Sequence, residues 1–188
     1  SVPKKKYKDI EYVSIPSMNF LDYSRLIIED LHKYFETSHC LIVQADSFVV
    51  NSDLWKDEFL KFDYIGAPWP NKIKVNSDLI LDVKKNPVGN GGFSLRSHKL
   101  AKVTAKINYN SLNFPIKSED IIICHYLYKE MTEQGIHFAS PKLASQFSME
   151  NISHLYDQDV NSVFGFHGKH LRDYFLKKYI LRSSIGEW

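Results

Sequence analysis

Cysteine is scarce in this chain: there are two in 188 residues, Cys40 and Cys124. With no Cys-x-x-Cys and no paired histidine spacing, the usual zinc-binding patterns are excluded. Each cysteine lies in an apolar run, Cys-Leu-Ile-Val and Ile-Ile-Ile-Cys. Both read as free buried thiols of a reducing compartment, so the chain is expected to be cytoplasmic. A disulfide is the alternative, and the sequence does not argue for it. No run of about 18 apolar residues occurs, which excludes a transmembrane helix. The start, Ser-Val-Pro-Lys-Lys-Lys, lacks the apolar stretch of a secretory signal. An excess of one charge is also missing: 24 Lys and Arg stand against 22 Asp and Glu, a net charge of +2. General nucleic-acid binders carry a stronger basic excess, so no nucleic-acid partner is expected. There is no repeat, no low-complexity linker, and neither a Walker loop nor a dinucleotide fingerprint.

What the chain does contain is core material. Hydrophobic residues make up 44%, with eleven Tyr and twelve Phe. This supports one domain over residues 1–188, with some aromatics free to serve as stacking platforms. The patterning predicts a strand over residues 9–15 and an amphipathic helix over 19–35. A strand buried on both faces is expected over 39–45, where the run is continuous and β-branched. A short helix follows over 52–61, capped by Ser52 or Asp53, then a short strand at Tyr64-Ile-Gly. Residues 70–87 read as an exposed loop with a small hairpin. Gly89-Asn-Gly-Gly is a tight turn feeding Phe93-Ser-Leu-Arg. Helices are predicted over 97–107 with Ser97 as cap, over 118–134 with Ser118 as cap and Gly135 as stop, and over 169–181. A strand is predicted over 136–139. Strands alternating with helices indicate an α/β domain with a mainly parallel or mixed sheet.

Ligands of open α/β sheets bind beyond the carboxyl ends of strands. Asp46 follows the buried run Leu41-Ile-Val-Gln-Ala, where a carboxylate either holds a divalent cation against a diphosphate or caps a turn. The glycines at 89, 91 and 92 permit either close approach of a ligand or an ordinary turn. Glu119 and Asp120 share the first turn of a helix, whose dipole favours their charged forms. They serve as a general base or as part of a cap. Adjacent helix positions point about 100° apart, so at most one faces a site. His167, in Phe164-Gly-Phe-His-Gly, is either a ligand for a metal such as Mn²⁺ or structural. His32 and His125 read as surface or satisfied core residues. Lys169, Arg172, Lys177, Lys178 and Arg182 make the last helix basic. They touch an anionic lipid or acceptor, or simply form a solvated face. The Lys4-Lys5-Lys6 run reads as a solvated end.

These pieces follow one another in a specific order. Gln44-Ala-Asp-Ser-Phe precedes Trp55 and Phe59-Leu. Asp63-Tyr-Ile-Gly-Ala-Pro-Trp69 comes next, then Val88-Gly-Asn-Gly-Gly-Phe-Ser-Leu-Arg96. Glu119-Asp-Ile, Phe138-Ala, Ala144, Phe147-Ser and Phe164-Gly-Phe-His-Gly168 complete the set. The ordered set resembles a bacterial family catalogued as a domain of unknown function (DUF5672-like) and described as glycosyltransferases, over roughly residues 19–170. The order is also similar to that of metal-dependent glycosyltransferases of the GT-A fold.

The resemblance implies a single GT-A-like α/β domain, with a mixed, mainly parallel central sheet flanked by helices. It implies a nucleotide-diphosphate sugar as donor and a glycan or lipid-linked acceptor, with peripheral contact at the inner face of the membrane. By that analogy Asp46 and His167 hold Mn²⁺ or Mg²⁺. Asp120 is the general base, and Glu119 supports the acceptor or the fold. Gln44, Asp46, Ser47, Asn90, Gly91 and Gly92 line the donor or acceptor pocket, and Trp69 stacks on a sugar. A base across the ring from the leaving group implies inversion. The sequence departs from the GT-A pattern twice. The Asp-x-Asp motif is here Asp46-Ser47-Phe48, without its second carboxylate. The strand and turn that open such folds are also missing before Asp9, as in a trimmed chain, a fragment or an inactive relative. The alternatives to a transferase are a non-catalytic glycan- or nucleotide-binding module and, more remotely, a hydrolase built on a carboxylate pair.

Overall fold

The computed structural model describes residues 6–75, 78–150, 156 and 158–184, with side chains as far as Lys177. Lys4 and Lys5 of the basic start, and the side chains of Lys178 and Arg182, lie outside the described part. In chain order the elements are α1 (Phe20–Arg25), β1 (His39–Val43), β2 (Ser47–Val49), β3 (Tyr64–Gly66), β4 (Lys72–Lys74), β5 (Ile80–Asp82), β6 (Phe93–Ser97), α2 (His98–Thr104), α3 (Glu119–Ile121), α4 (Tyr128–Glu133), α5 (Pro141–Phe147), β7 (Ser148–Met149), β8 (Gly165–His167) and α6 (Lys169–Ser184). The predicted mixed α/β class stands, built from small sheets.

The helix predicted over 19–35 begins with a capping box. The Asn19 side chain accepts from the Asp22 N–H at 2.9 Å, and Asp22 reaches back to the Asn19 N–H. After α1 the helix widens into a π turn, Leu26–Asp30, and ends in a 3₁₀ turn, Leu31–Lys33. The segment over 52–61 forms two 3₁₀ turns, Ser52–Leu54 and Asp57–Lys61, the first capped by Asn51 instead of Ser52 or Asp53. Ser97 caps α2 as expected, its hydroxyl accepting from Leu100 N at 2.9 Å. Gly135, at φ 78°, stops α4. The hairpin expected within 70–87 is β4 and β5.

Three expectations are corrected. Residues 9–15 form no strand; Ile10, Val13 and Ile15 stand exposed, with no partner strand among the described residues to bury their alternating side chains. β1 is only partly buried, and Val43 at its end is exposed. β6, central in the order β1-β6-β3, is buried along its whole length, as is its shorter neighbour β3. Third, pairing is mostly antiparallel: β6 runs antiparallel to both β1 and β3. β1 and β3 share a direction, as alternating elements suggested. The strand inserted between them comes later in the chain, reached through the β4–β5 hairpin and not by a helical crossover. Among the described residues, parallel contacts are confined to β7 with β8 and a bridge of Tyr64 to Phe138, all that forms of the strand predicted over 136–139.

The core lies between β3, β6 and the helices that follow. Phe59, Phe93, Phe147 and Phe164 pack edge-to-face or tilted around one point, with ring centroids 5.1 Å apart for Phe59 and Phe147 and 5.4 Å for Phe93 and Phe147. Leu171 and Phe175 bury one side of α6 against Met149, Val163 and Phe166, carried by β7, β8 and the chain before β8. Among the described residues no helix is long and apolar enough to cross a membrane.

Both cysteines are free; Cys124 is buried and Cys40 half-buried. Burial pushes the Cys40 thiol up to about 11, and the Cys124 thiol is raised well above its ordinary value for the same reason. In native protein at pH 8, both should therefore alkylate with iodoacetamide at least about tenfold more slowly than in denaturant, because the thiolate is the nucleophile. Fast native labelling of either one, read by mass spectrometry, would contradict this burial.

Candidate active site

The turn at residues 89–92 gathers the site. Asn90 sits at φ 59°, a left-handed conformation that asparagine tolerates. Its Oδ1 accepts from Phe93 N at 3.3 Å, which aims its Nδ2 at His167 Nδ1, 2.8 Å away. Gly91 N donates to Asp120 Oδ2 at 3.0 Å. The Gly92 carbonyl accepts from Gln44 N and from Ser47 Oγ, both at 2.9 Å. The turn is thus tied to the end of β1, to β8 and to the start of α3. Its glycines serve packing. A Cβ on Gly91 would meet Glu119 Oε1 at 2.0 Å, and one on Gly92 would meet the His167 ring at 2.1 Å.

Glu119 lies beneath this turn, 3% exposed, and Arg96 of β6 is 1% exposed. Arg96 Nη2 donates to Glu119 Oε1 at 2.8 Å, and Arg96 Nε donates to Ser94 Oγ at 3.1 Å. The guanidinium also lies 5.0 Å from the centroid of the Tyr64 ring. Burial works against the Arg96 cation, but the Glu119 carboxylate, with Tyr64, Tyr23 and Cys124 behind it, raises the guanidinium above its ordinary value overall. This placement ties Glu119 to Arg96 inside the core.

Asp120 is half-buried and fully oriented. Its Oδ1 accepts from Ile121 N at 2.8 Å and from Ser118 Oγ. Ser118 thus caps the helix through Asp120; its hydroxyl makes no cap bond to the backbone. Oδ2 accepts from Gly91 N and keeps a second lone pair.

Asp46 and His167 come together as expected, with Asp46 Oδ1 3.4 Å from His167 Nε2. The other ring nitrogen also faces Glu150, at 3.3 Å. With Asn90 donating to Nδ1, the neutral ring carries its proton on Nε2, toward Asp46. A doubly protonated ring donates from Nδ1 to Glu150. Burial lowers the His167 pKa, but the bond and charge of Glu150, with Asp46 and Asp120 behind them, raise it overall. Asp46 Oδ1 and Nε2 are close enough to be neighbouring ligands of one cation once the ring proton moves from Nε2 to Nδ1, where Glu150 accepts it and Asn90 gives up its bond. These two residues fit such an ion as a pair. Among the described residues no group of three His, Cys, Asp or Glu is gathered around one point.

A cleft of about 410 Å³ opens beside this cluster, lined by Trp69, Lys72, Lys74, Ser118, Asp120 and Glu150 among others. The remaining expected pocket residues sit behind it. Asn90 is 2% exposed, and Gly91 and Gly92 are buried. Ser47 is buried too, its hydroxyl spent on the Gln44 and Gly92 carbonyls. Gln44 Nε2 donates to Tyr23 Oη at 3.0 Å. Trp69 reaches the cleft but is 5% exposed, its ring against Gly89, which leaves little face for a sugar. Glu150, Lys72 and Lys74 are the additions the sequence reading did not make. Lys-Ile-Lys reads as an ordinary solvated hairpin strand, and Glu150 has only its position just after a strand to mark it. A second cavity of about 400 Å³, lined by Lys56, Lys142 and Gln158, holds none of the expected residues.

Residues 9–167 match the family described as Protein of unknown function (DUF5672). No curated protein and no solved structure matches the chain.

Gly91→Ala should be strongly destabilising, because its methyl can be accommodated only by moving the carboxylate that neutralises Arg96. Breaking a buried pair of this kind costs about 3–5 kcal/mol. The check is the denaturant midpoint, and a loss under about 1 kcal/mol would mean that the pair is not clamped beneath the turn.

Proposed function

This chain belongs to that family of proteins of unknown function, and on that premise we propose that it is a GT-A-type glycosyltransferase. It moves a sugar from a nucleotide-diphosphate donor to a hydroxyl of a glycan or lipid-linked acceptor, with inversion. The observation that carries this reading is the oriented Asp120 carboxylate at an open cleft, beside the paired Asp46 and His167.

The spare lone pair of Asp120 Oδ2 accepts the proton of the acceptor hydroxyl. The hydroxyl oxygen attacks the anomeric carbon from the face opposite the diphosphate. The new glycosidic bond forms as the bond to the diphosphate oxygen breaks, and that electron pair leaves with the nucleoside diphosphate. Gly91 N–H and Ser118 Oγ hold the carboxylate at a fixed angle throughout, which is the positioning that makes a general base effective. A divalent cation, Mn²⁺ or Mg²⁺, held by Asp46 and His167 supplies positive charge to the leaving diphosphate. Such donors are cytoplasmic compounds, in keeping with the two free thiols.

A second reading has its own support. Asp120 already accepts three hydrogen bonds, and Phe48 stands where the second carboxylate of an Asp-x-Asp motif would be. A non-catalytic nucleotide- or glycan-binding module would bind the donor without transferring from it.

The test is a panel of UDP-, GDP- and dTDP-sugars with Mn²⁺, read first by thermal stabilisation and then by release of nucleoside diphosphate to a glycan or lipid-linked acceptor. A donor at 100 times its dissociation constant stabilises by about 2.7 kcal/mol. With that donor, Asp120→Asn should lower turnover by about 10²–10⁴-fold and leave the stabilisation in place. Full turnover in this variant would remove Asp120 as the base, and stabilisation without transfer in the wild type would favour the binding module.

A further inference from the structure

We propose that the free edge of β4 is the anion subsite of the cleft, with Lys72 and Lys74 binding the diphosphate of the ligand. The inference deepens the transferase reading and rests on it for the identity of the ligand, but the subsite has its own observations and its own test.

Three successive residues, Lys72, Ile73 and Lys74, all line the cleft, whereas no residue of β5 does. A strand whose consecutive residues line a cleft runs lengthwise along it. The absence of its partner from the lining places the cleft on the side of β4 away from β5. Among the described residues that side is an unpaired edge, since β4 and β5 form a two-stranded sheet. The flanking ladder bonds are Val75 N to Leu79 O at 3.0 Å and Val83 N to Asn71 O at 2.9 Å. In an antiparallel pair, backbone groups alternate between the partner and the outer edge. The odd-numbered residues of this strand therefore bond to β5. The N–H groups of Lys72 and Lys74 point outward, along the cleft.

Two backbone donors and two ammonium groups are thus presented from one edge. Ile73 anchors the strand by packing against the main core. Lys72 and Lys74 are exposed, and neither has an ion-pair partner among the described residues. The neighbouring Lys84, by contrast, reaches Asp82 at 3.8 Å. Asp120 and Glu150 line the same cleft. A fully anionic ligand would be repelled by those carboxylates, and a neutral sugar would make no use of the lysines. The lining fits a molecule with a diphosphate at one end and hydroxyls at the other. Positive charge from β4 also takes over part of the neutralisation that a second aspartate in the Asp46-Ser47-Phe48 segment would have supported through a metal.

Two sources supply a diphosphate, the nucleotide donor and a diphosphate-linked lipid acceptor, and the experiment separates them. Binding of inorganic pyrophosphate, UDP, GDP and farnesyl diphosphate is measured by calorimetry in EDTA. Wild type and the double variants K72Q/K74Q and K84Q/K85Q are compared, the second pair being exposed lysines outside the cleft. Pyrophosphate affinity should fall at least about tenfold in K72Q/K74Q, the scale of losing charge-assisted hydrogen bonds, and stay within about twofold in K84Q/K85Q, as additive surface charge away from the ligand does. Unliganded melting temperatures report whether either variant has lost its fold. Tighter binding of a nucleoside diphosphate than of pyrophosphate, with the same lysine dependence, names the donor as the source. The same result with farnesyl diphosphate names the acceptor. No pyrophosphate binding by wild type, or equal loss in both double variants, overturns the subsite. Lysine-dependent binding without transfer from any donor sinks the transferase reading alone, and transfer that ignores K72Q/K74Q sinks this one alone.

Discussion

Arg96 and Glu119, buried side by side at 2.8 Å, join the central strand β6 to the first turn of α3. Neither charge is tolerable alone in the core, so the two elements can be buried only together. The pair sits under Gly91, which has no side chain because the Glu119 carboxylate occupies that space. The turn is therefore pressed onto the pair, and Gly91 N–H meets Asp120, the residue next to Glu119. A core interaction thereby sets the position of the surface carboxylate at the cleft.

The neighbouring acidic residues divide the work as helix geometry demands. Glu119 turns inward to Arg96, and Asp120 turns toward the turn and the cleft. On the other flank, Asn90 and Gly92 bring the turn against His167, and the Gly168 N–H donates to the Asp46 carbonyl at 3.1 Å. Four short segments, each weak as a motif, meet around one buried ion pair. Asp120 and Glu150 share the cleft with the lysines of β4, so its lining carries both signs of charge.

The aromatic content has a plainer use than sugar stacking. Phe59, Phe93, Phe147 and Phe164 fill the core next to the turn, and Trp69 is pressed on Gly89. These rings make the floor rigid beneath groups that must hold their angles.

Local chemistry was readable directly from the residues. Asn19, Ser97 and Gly135 mark helix ends because capping depends on neighbours three or four positions away. The ordered motifs from Gln44 to Gly168 marked out the segments that converge, and the adjacency of Glu119 and Asp120 already required that they face differently. Tertiary structure decided the rest. Strand β6 carries Ser94 and Arg96 into the core, and its contact with Glu119 makes Arg96 acceptable there. The direction of pairing depended on which strand entered between β1 and β3, a matter of chain path that no local pattern records. Residues 9–15 alternate like a strand, yet a strand exists only where an edge accepts its hydrogen bonds. Likewise Lys72 and Lys74 became cleft residues through the position of a hairpin edge, since two lysines on a short strand carry no sign of what lies opposite them.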